Sequence, residues 1–156
     1  MIYGWEVSEI KRLINITMTL IEIVNSFLDI AKAQPNINYV GEGDIYKLNS
    51  LPNIDYSVFF VTQTNHTQDE NTITYNLILY FIDRLFTDGG NALNVQSNGM
   101  IMLNNIINIF NNMNPEVAIE YDINYTTFVH KFQDDCAGVF ANVSITADAD
   151  LGICGY

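Results

Sequence analysis

Residues 72–85 read Thr-Ile-Thr-Tyr-Asn-Leu-Ile-Leu-Tyr-Phe-Ile-Asp-Arg-Leu. Side chains of a strand alternate between two faces, which sorts this run at once. Ile73, Tyr75, Leu77, Leu79 and Phe81 share one face, and Ile78, Tyr80 and Ile82 make the opposite face apolar as well. A strand apolar on both faces is covered on both sides. The cover is either a helix with a neighbouring segment or a partner subunit.

Just upstream, residues 55–64 are also rich in aromatic and β-branched side chains. The polar tract Asn65-His66-Thr67-Gln68-Asp69-Glu70-Asn71 between the two predicts a hairpin connection. Residues 36–54 carry Pro, Gly and Asn punctuation and read as a structured loop with at most one short strand. Before them, Ile10, Leu13, Ile14, Leu20, Ile21, Val24, Phe27, Leu28 and Ala31 recur at threes and fours. That stripe predicts one amphipathic helix over 8–33, capped by Ser8 and closed by Pro35. At 1.5 Å per residue it would be about 40 Å long, more than a small domain needs, so part of it should project and pack elsewhere. Met18 offers a second translation start, which would make residues 1–17 an extension.

Downstream, Thr87-Asp88-Gly89-Gly90-Asn91 is a turn with helix-start chemistry. Leu93, Met100, Leu103, Ile106, Ile107, Phe110 and Met113 form a second stripe over 92–113, which Asn114-Pro115 ends. Two strands follow, over 117–132 and 137–147. The first is long enough to predict a bulge near Val129. The order is helix, hairpin, helix, hairpin: an α+β domain with an antiparallel sheet and helices packed on one face.

With 156 residues the chain makes one domain, and at 49% hydrophobic against 15% charged it is no disordered segment. Six basic residues against 18 acidic ones leave a net charge of −12. That excludes non-specific binding to DNA, RNA or anionic lipid, which needs clustered Lys and Arg. The N-terminus lacks a basic region followed by an apolar one, so it is not a secretory signal. Asn15, Glu22, Asn25, Ser26 and Asp29 interrupt the most apolar stretch, so no membrane span is expected. The 20 asparagines are explained by coding bias without an amide-ladder role.

Side chains that carry chemistry are scattered. Asp134-Asp135 and Asp148/Asp150 have the oxygens a hard cation wants, yet neither matches a spaced ligand loop, and solvated turns account for both. Gly41-Glu42-Gly43-Asp44 would repel phosphate and reads as a tight turn or contact loop. His66 falls in the predicted hairpin tip and His130 late in a strand, with no nucleophile motif near either. Cys136 and Cys154 read as two reduced thiols or as a disulfide that could contribute about 3 kcal/mol. Asp83-Arg84 reads either as an intrachain ion pair at a strand end or as a pair across a subunit boundary. No catalytic residue, metal or cofactor is expected.

Three blocks carry a resemblance. They are Gln34-Pro35-Asn36-Ile37-Asn38-Tyr39-Val40-Gly41-Glu42-Gly43-Asp44-Ile45-Tyr46; Tyr80-Phe81-Ile82-Asp83-Arg84-Leu85 with Asp88, Asn91, Leu93, Val95-Gln96-Ser97, Gly99 and Leu103; and Phe132-Gln133-Asp134-Asp135-Cys136-Ala137-Gly138-Val139-Phe140. Together they cover most of the chain after Met18. They resemble a family of small structural proteins of tailed, crAss-like phages of Bacteroides-type hosts. The element order is separately similar to the tail-terminator, tail-completion and neck fold of long-tailed phages.

The resemblance implies a virion protein assembled in the host cytoplasm. It would form a homo-oligomeric ring at the head–tail junction, flanked by portal, connector or tail proteins, with DNA passing only as cargo and no enzymatic activity. Residues 18–156 would be the ring protomer, with Glu42, Asp44, Asp83 and Arg84 at its subunit interface. The alternatives are a minor tail or baseplate component with the same protomer, and a soluble acidic binding module or DNA mimic. Least favoured is a small metal-dependent hydrolase using Asp134 and Asp135.

Overall fold

A computed structural model of the chain describes residues 17–51, 53–132 and 134–149. It contains helix α1 (Leu20–Lys32), strand β1 (Tyr39–Glu42), a short 3-10 helix (Ile45–Ser50), β2 (Val58–Gln68) and β3 (Thr72–Arg84). Helix α2 (Ala92–Met113) follows, then β4 (Ala118–Ile119), β5 (Asn124–Lys131) and β6 (Cys136–Asp148). The fold is α+β, with six strands in one mixed sheet.

β3 lies between β2 and β6 and pairs antiparallel with both. It occupies one side of β6 over the whole of 136–148, so β4 and β5 follow one another along the other side. At the far edge β1 runs parallel to β2. The sheet is therefore mixed and not the antiparallel one expected. A parallel pair needs a crossover of a dozen or more residues, and residues 43–57 are that crossover, 43–54 having been read as loop and 55–57 as the start of a strand.

The crossover also resolves what covers the two apolar faces of β3. On one face Tyr75, Leu77, Leu79 and Phe81 join Ile23, Phe27 and Ile30 of α1 and Leu103, Ile106 and Phe110 of α2 in the main core. The rings of Phe27 and Phe110 stack at 4.2 Å and 9° where the helices meet. On the other face Tyr80 and Ile82 pack with Phe60 of β2 under Ile45, Leu48 and Ile54. Each fully buried Phe or Leu contributes roughly 1.5–3 kcal/mol. On the far face the chain's own crossover covers Tyr80 and Ile82.

Three expected boundaries move. Helix α1 does not run through from Ser8. Thr19 caps it by accepting the Glu22 N–H while the Glu22 side chain returns to the Thr19 N–H, a capping box that starts the helix at Leu20. Met18 is buried, and the Thr17 N–H bonds the Asp148 carbonyl at 2.9 Å, which turns the chain onto the end of β6. At 13 residues α1 is about 20 Å long, so the described helix does not project. Ser8 and all of the expected 1–17 extension except Thr17 lie outside the described residues.

The β2–β3 connection is three residues instead of seven, because β2 continues to Gln68 past a bulge between Gln63 and His66. The strand expected over 117–132 divides into β4 and β5. The expected bulge near Val129 is present as a register shift between Phe128 and Lys131, with His130 at φ 52°.

Candidate subunit interface

The four residues assigned to an interface come from two sequence neighbourhoods, and the fold leaves them in four different settings. Glu42 ends β1 and is exposed, beside a cleft of about 480 Å³ that it shares with Ile21, Val24 and Gln63. Asp44 is the N-cap of the 3-10 helix, its Oδ1 accepting the Tyr46 N–H at 3.0 Å. A cap explains its carboxylate without a neighbour.

Asp83 and Arg84 sit at the end of β3, a central strand. Being consecutive, they point to opposite faces of the sheet. Asp83 lies on the helix side, in a groove of about 730 Å³ with Phe86, Asn94, Asn98 and Ile101. Its Oδ1 accepts the backbone N–H of Arg84 at 2.8 Å. Arg84 lies on the crossover side, its guanidinium 3.7 Å from Asp134 and 5.3 Å above the Tyr56 ring. Within the chain the partner of Arg84 is Asp134 and not the adjacent Asp83. At that distance and exposure the pair contributes less than about 1 kcal/mol.

Around Arg84 the structure assembles a cluster that sequence reasoning did not group. The Tyr56 hydroxyl donates to Asp134 Oδ2 at 2.9 Å, and Arg84 and Asp134 border a cleft of about 340 Å³ with Asn49, Leu51 and Asn53. Burial holds the Tyr56 phenol well above the usual tyrosine range, with Cys136 and Asp134 pushing the same way, so it stays a donor. Burial also raises the Cys136 thiol, which lies fully inside the crossover core. A thiol in that state is a packing group and not a nucleophile.

The remaining chemistry-bearing side chains have local partners too. Asp135 takes His130 Nδ1 at 2.9 Å in the β5–β6 turn. His66 accepts the Asn76 N–H through Nδ1 and meets Gln63 Oε1 through Nε2 at 3.0 Å, filling the β2 bulge. Among the described residues no three His, Cys, Asp or Glu side chains converge to hold a metal. Asp150 and Cys154 lie outside the described residues. Among those described, no helix is long and apolar enough to cross a membrane.

What the sequence reading missed is the backbone itself. Tyr39–Glu42 is the outer strand beyond β2, and β5 is the outer strand beyond β6. A signal was available in residues 124–129, Asn-Tyr-Thr-Thr-Phe-Val, a β-prone run with no charge, Pro or Gly. In comparison with known proteins, the chain matches no family model and no curated protein sequence.

Proposed function

We propose that this chain is a virion structural protein, one protomer of a ring at the head–tail junction of a tailed phage, as a neck connector or tail terminator. The observation that carries this reading is a sheet whose outer strands, β1 at one edge and β5 at the other, have no further strand beside them among the described residues. Two different surfaces on opposite sides of one protomer are what a heterologous interface uses, and such contacts close into a ring when the rotation permits. The three sequence blocks similar to small phage structural proteins support the virion setting. The two long hairpins, β2–β3 after α1 and β5–β6 after α2, support the likeness to the tail-terminator arrangement.

The chemistry fits a non-catalytic role. Tyr56, Cys136, His66 and His130 are each engaged in packing or local hydrogen bonds. The net charge of −12 suits a ring through which DNA passes without being held, since acidic walls repel the phosphate backbone. The test is native mass spectrometry of the purified protein alongside its copy number in the intact particle. A closed oligomer whose size matches the particle copy number is expected. A monomer that is also absent from the particle would sink the reading.

A further inference from the structure

Four rungs cross five strands without a break. They are Tyr39–Val58–Ile82–Gly138–Phe128, Val40–Phe59–Phe81–Val139–Thr127, Gly41–Phe60–Tyr80–Phe140–Thr126 and Glu42–Val61–Leu79–Ala141–Tyr125. The two edges, each without a further strand among the described residues, are therefore the two ends of the same rungs. Resting on the ring reading above, we propose that the β5 edge of one copy pairs with the β1 edge of the next, Thr127 beside Val40, so that the sheet continues from protomer to protomer.

Strand direction, pleat and length agree on this pairing. β1 and β2 run the same way, and each step to β3, β6 and β5 reverses direction, so β5 runs opposite to β1. The joint is antiparallel, the pairing whose hydrogen bonds are perpendicular to the strands and slightly the more stable per residue. Val40 and Thr127 end one rung and so lie on the same face, and setting them side by side keeps every side chain on its own face.

Both edges also present the same four rungs. β1 leaves the ladder beyond the fourth, at Gly43 with φ +116°, and β5, running the other way, leaves it beyond the first, where the bulge and His130 at φ +52° follow Phe128. Gln96 Nε2, donating to the Phe128 carbonyl at 3.1 Å, ties α2 to the first rung. Soluble proteins normally blunt an open edge with charge, Pro or a bulge along its length. Residues 124–129 carry no charge and no Pro, and β1 carries one charge, at its last residue. Those are edges kept for pairing.

The experiment is disulfide trapping in the full chain with Val40→Cys and Thr127→Cys together in a Cys154→Ser background. Opposed residues of antiparallel neighbours have Cα atoms about 4.5–5.5 Å apart, within reach of a disulfide. After mild oxidation the double variant should give a reducible ladder of covalent multimers. A mixture of the two single variants should stop at dimers.

Dimers from Thr127→Cys alone would mean two β5 edges pair with each other, which overturns the proposal. An oligomer of the expected mass that gives no ladder also overturns it, placing the interface elsewhere and leaving the ring reading intact. A protein that stays monomeric at concentrations on the order of 1 mM and gives no ladder overturns the edge pairing in solution. Its absence from the particle would then remove the ring reading too. As a second measurement, Thr126→Lys, an exposed position, should weaken self-association at least tenfold with an unchanged circular dichroism spectrum.

Discussion

A side chain added at Gly138 has nowhere to go. An alanine Cβ there would collide with the Phe81 carbonyl oxygen and lie 2.8 Å from the Phe128 ring, and the first of these is backbone of the central strand. At Gly99 of α2 the Cβ would meet Val139 at 2.6 Å and the Phe81 ring at 2.8 Å, both side chains with some freedom to shift. Urea unfolding should therefore rank them. Gly99→Ala should cost about 1–3 kcal/mol and Gly138→Ala more than that, because overpacking is relieved only where the neighbour can move. Equal losses would mean that the sheet yields as readily as side chains do.

A second residue-scale effect lies in the β2–β3 turn, where Asp69 Oδ1 accepts the N–H groups of Asn71 at 2.9 Å and Thr72 at 2.8 Å. Those two backbone bonds, with the Thr72 hydroxyl, hold its carboxyl below the ordinary aspartate value of 3.8. A depressed folded value means stability fully present above 3.8 and lost as the pH falls through the folded value. The Tm difference between the natural chain and Asp69→Ala should be largest near neutral pH and shrink toward pH 3. A constant difference across that range would assign the effect to turn geometry and not to charge.

At the scale of elements, the start of α1 is the informative case. Thr19→Ala removes one half of the capping box and should cost about 1 kcal/mol, read as a lower urea midpoint at unchanged slope. The expected helix over 8–33 overran this point because an apolar stripe records which residues face the core and not where the backbone stops being helical. Thr19-x-x-Glu22 was the stop signal, and it was legible. The ends of α2 were predicted to the residue because the turn over 87–91 opens it and Asn114-Pro115 closes it, but its stripe was only partly right: Leu93, Met100 and Met113 are exposed, and Val95 and Gly99 are buried in their place.

β1 was legible only as one short strand within a loop. Four residues are too few to show alternation, and nothing local encodes pairing with β2 in the parallel sense. The candidate interface shows the same limit. Asp83 and Arg84 looked like a pair because they are adjacent in sequence, yet adjacency in a strand sends them to opposite faces. Their true neighbours, Asn94 and Asn98 for one and Tyr56 and Asp134 for the other, are set by tertiary contacts that no spacing encodes. Glu42, by contrast, does end on an open edge.

At the scale of the whole molecule, charge and the open edges act against each other. Each copy carries −12, so copies brought side by side repel, whereas the strands that would join them are nearly uncharged. Salt screens the repulsion, the Debye length falling from about 30 Å at 0.01 M to about 8 Å at 0.15 M, and it leaves main-chain hydrogen bonds and apolar contact largely intact. Self-association should accordingly strengthen as sodium chloride is raised through that range, followed by sedimentation velocity as a rise in weight-average mass at fixed protein concentration. An interface held by opposite charges would behave the other way and fall apart. If mass decreases with salt, the six basic residues must be at the joint, and neither the Val40–Thr127 pairing nor any other uncharged contact can be what holds the copies together.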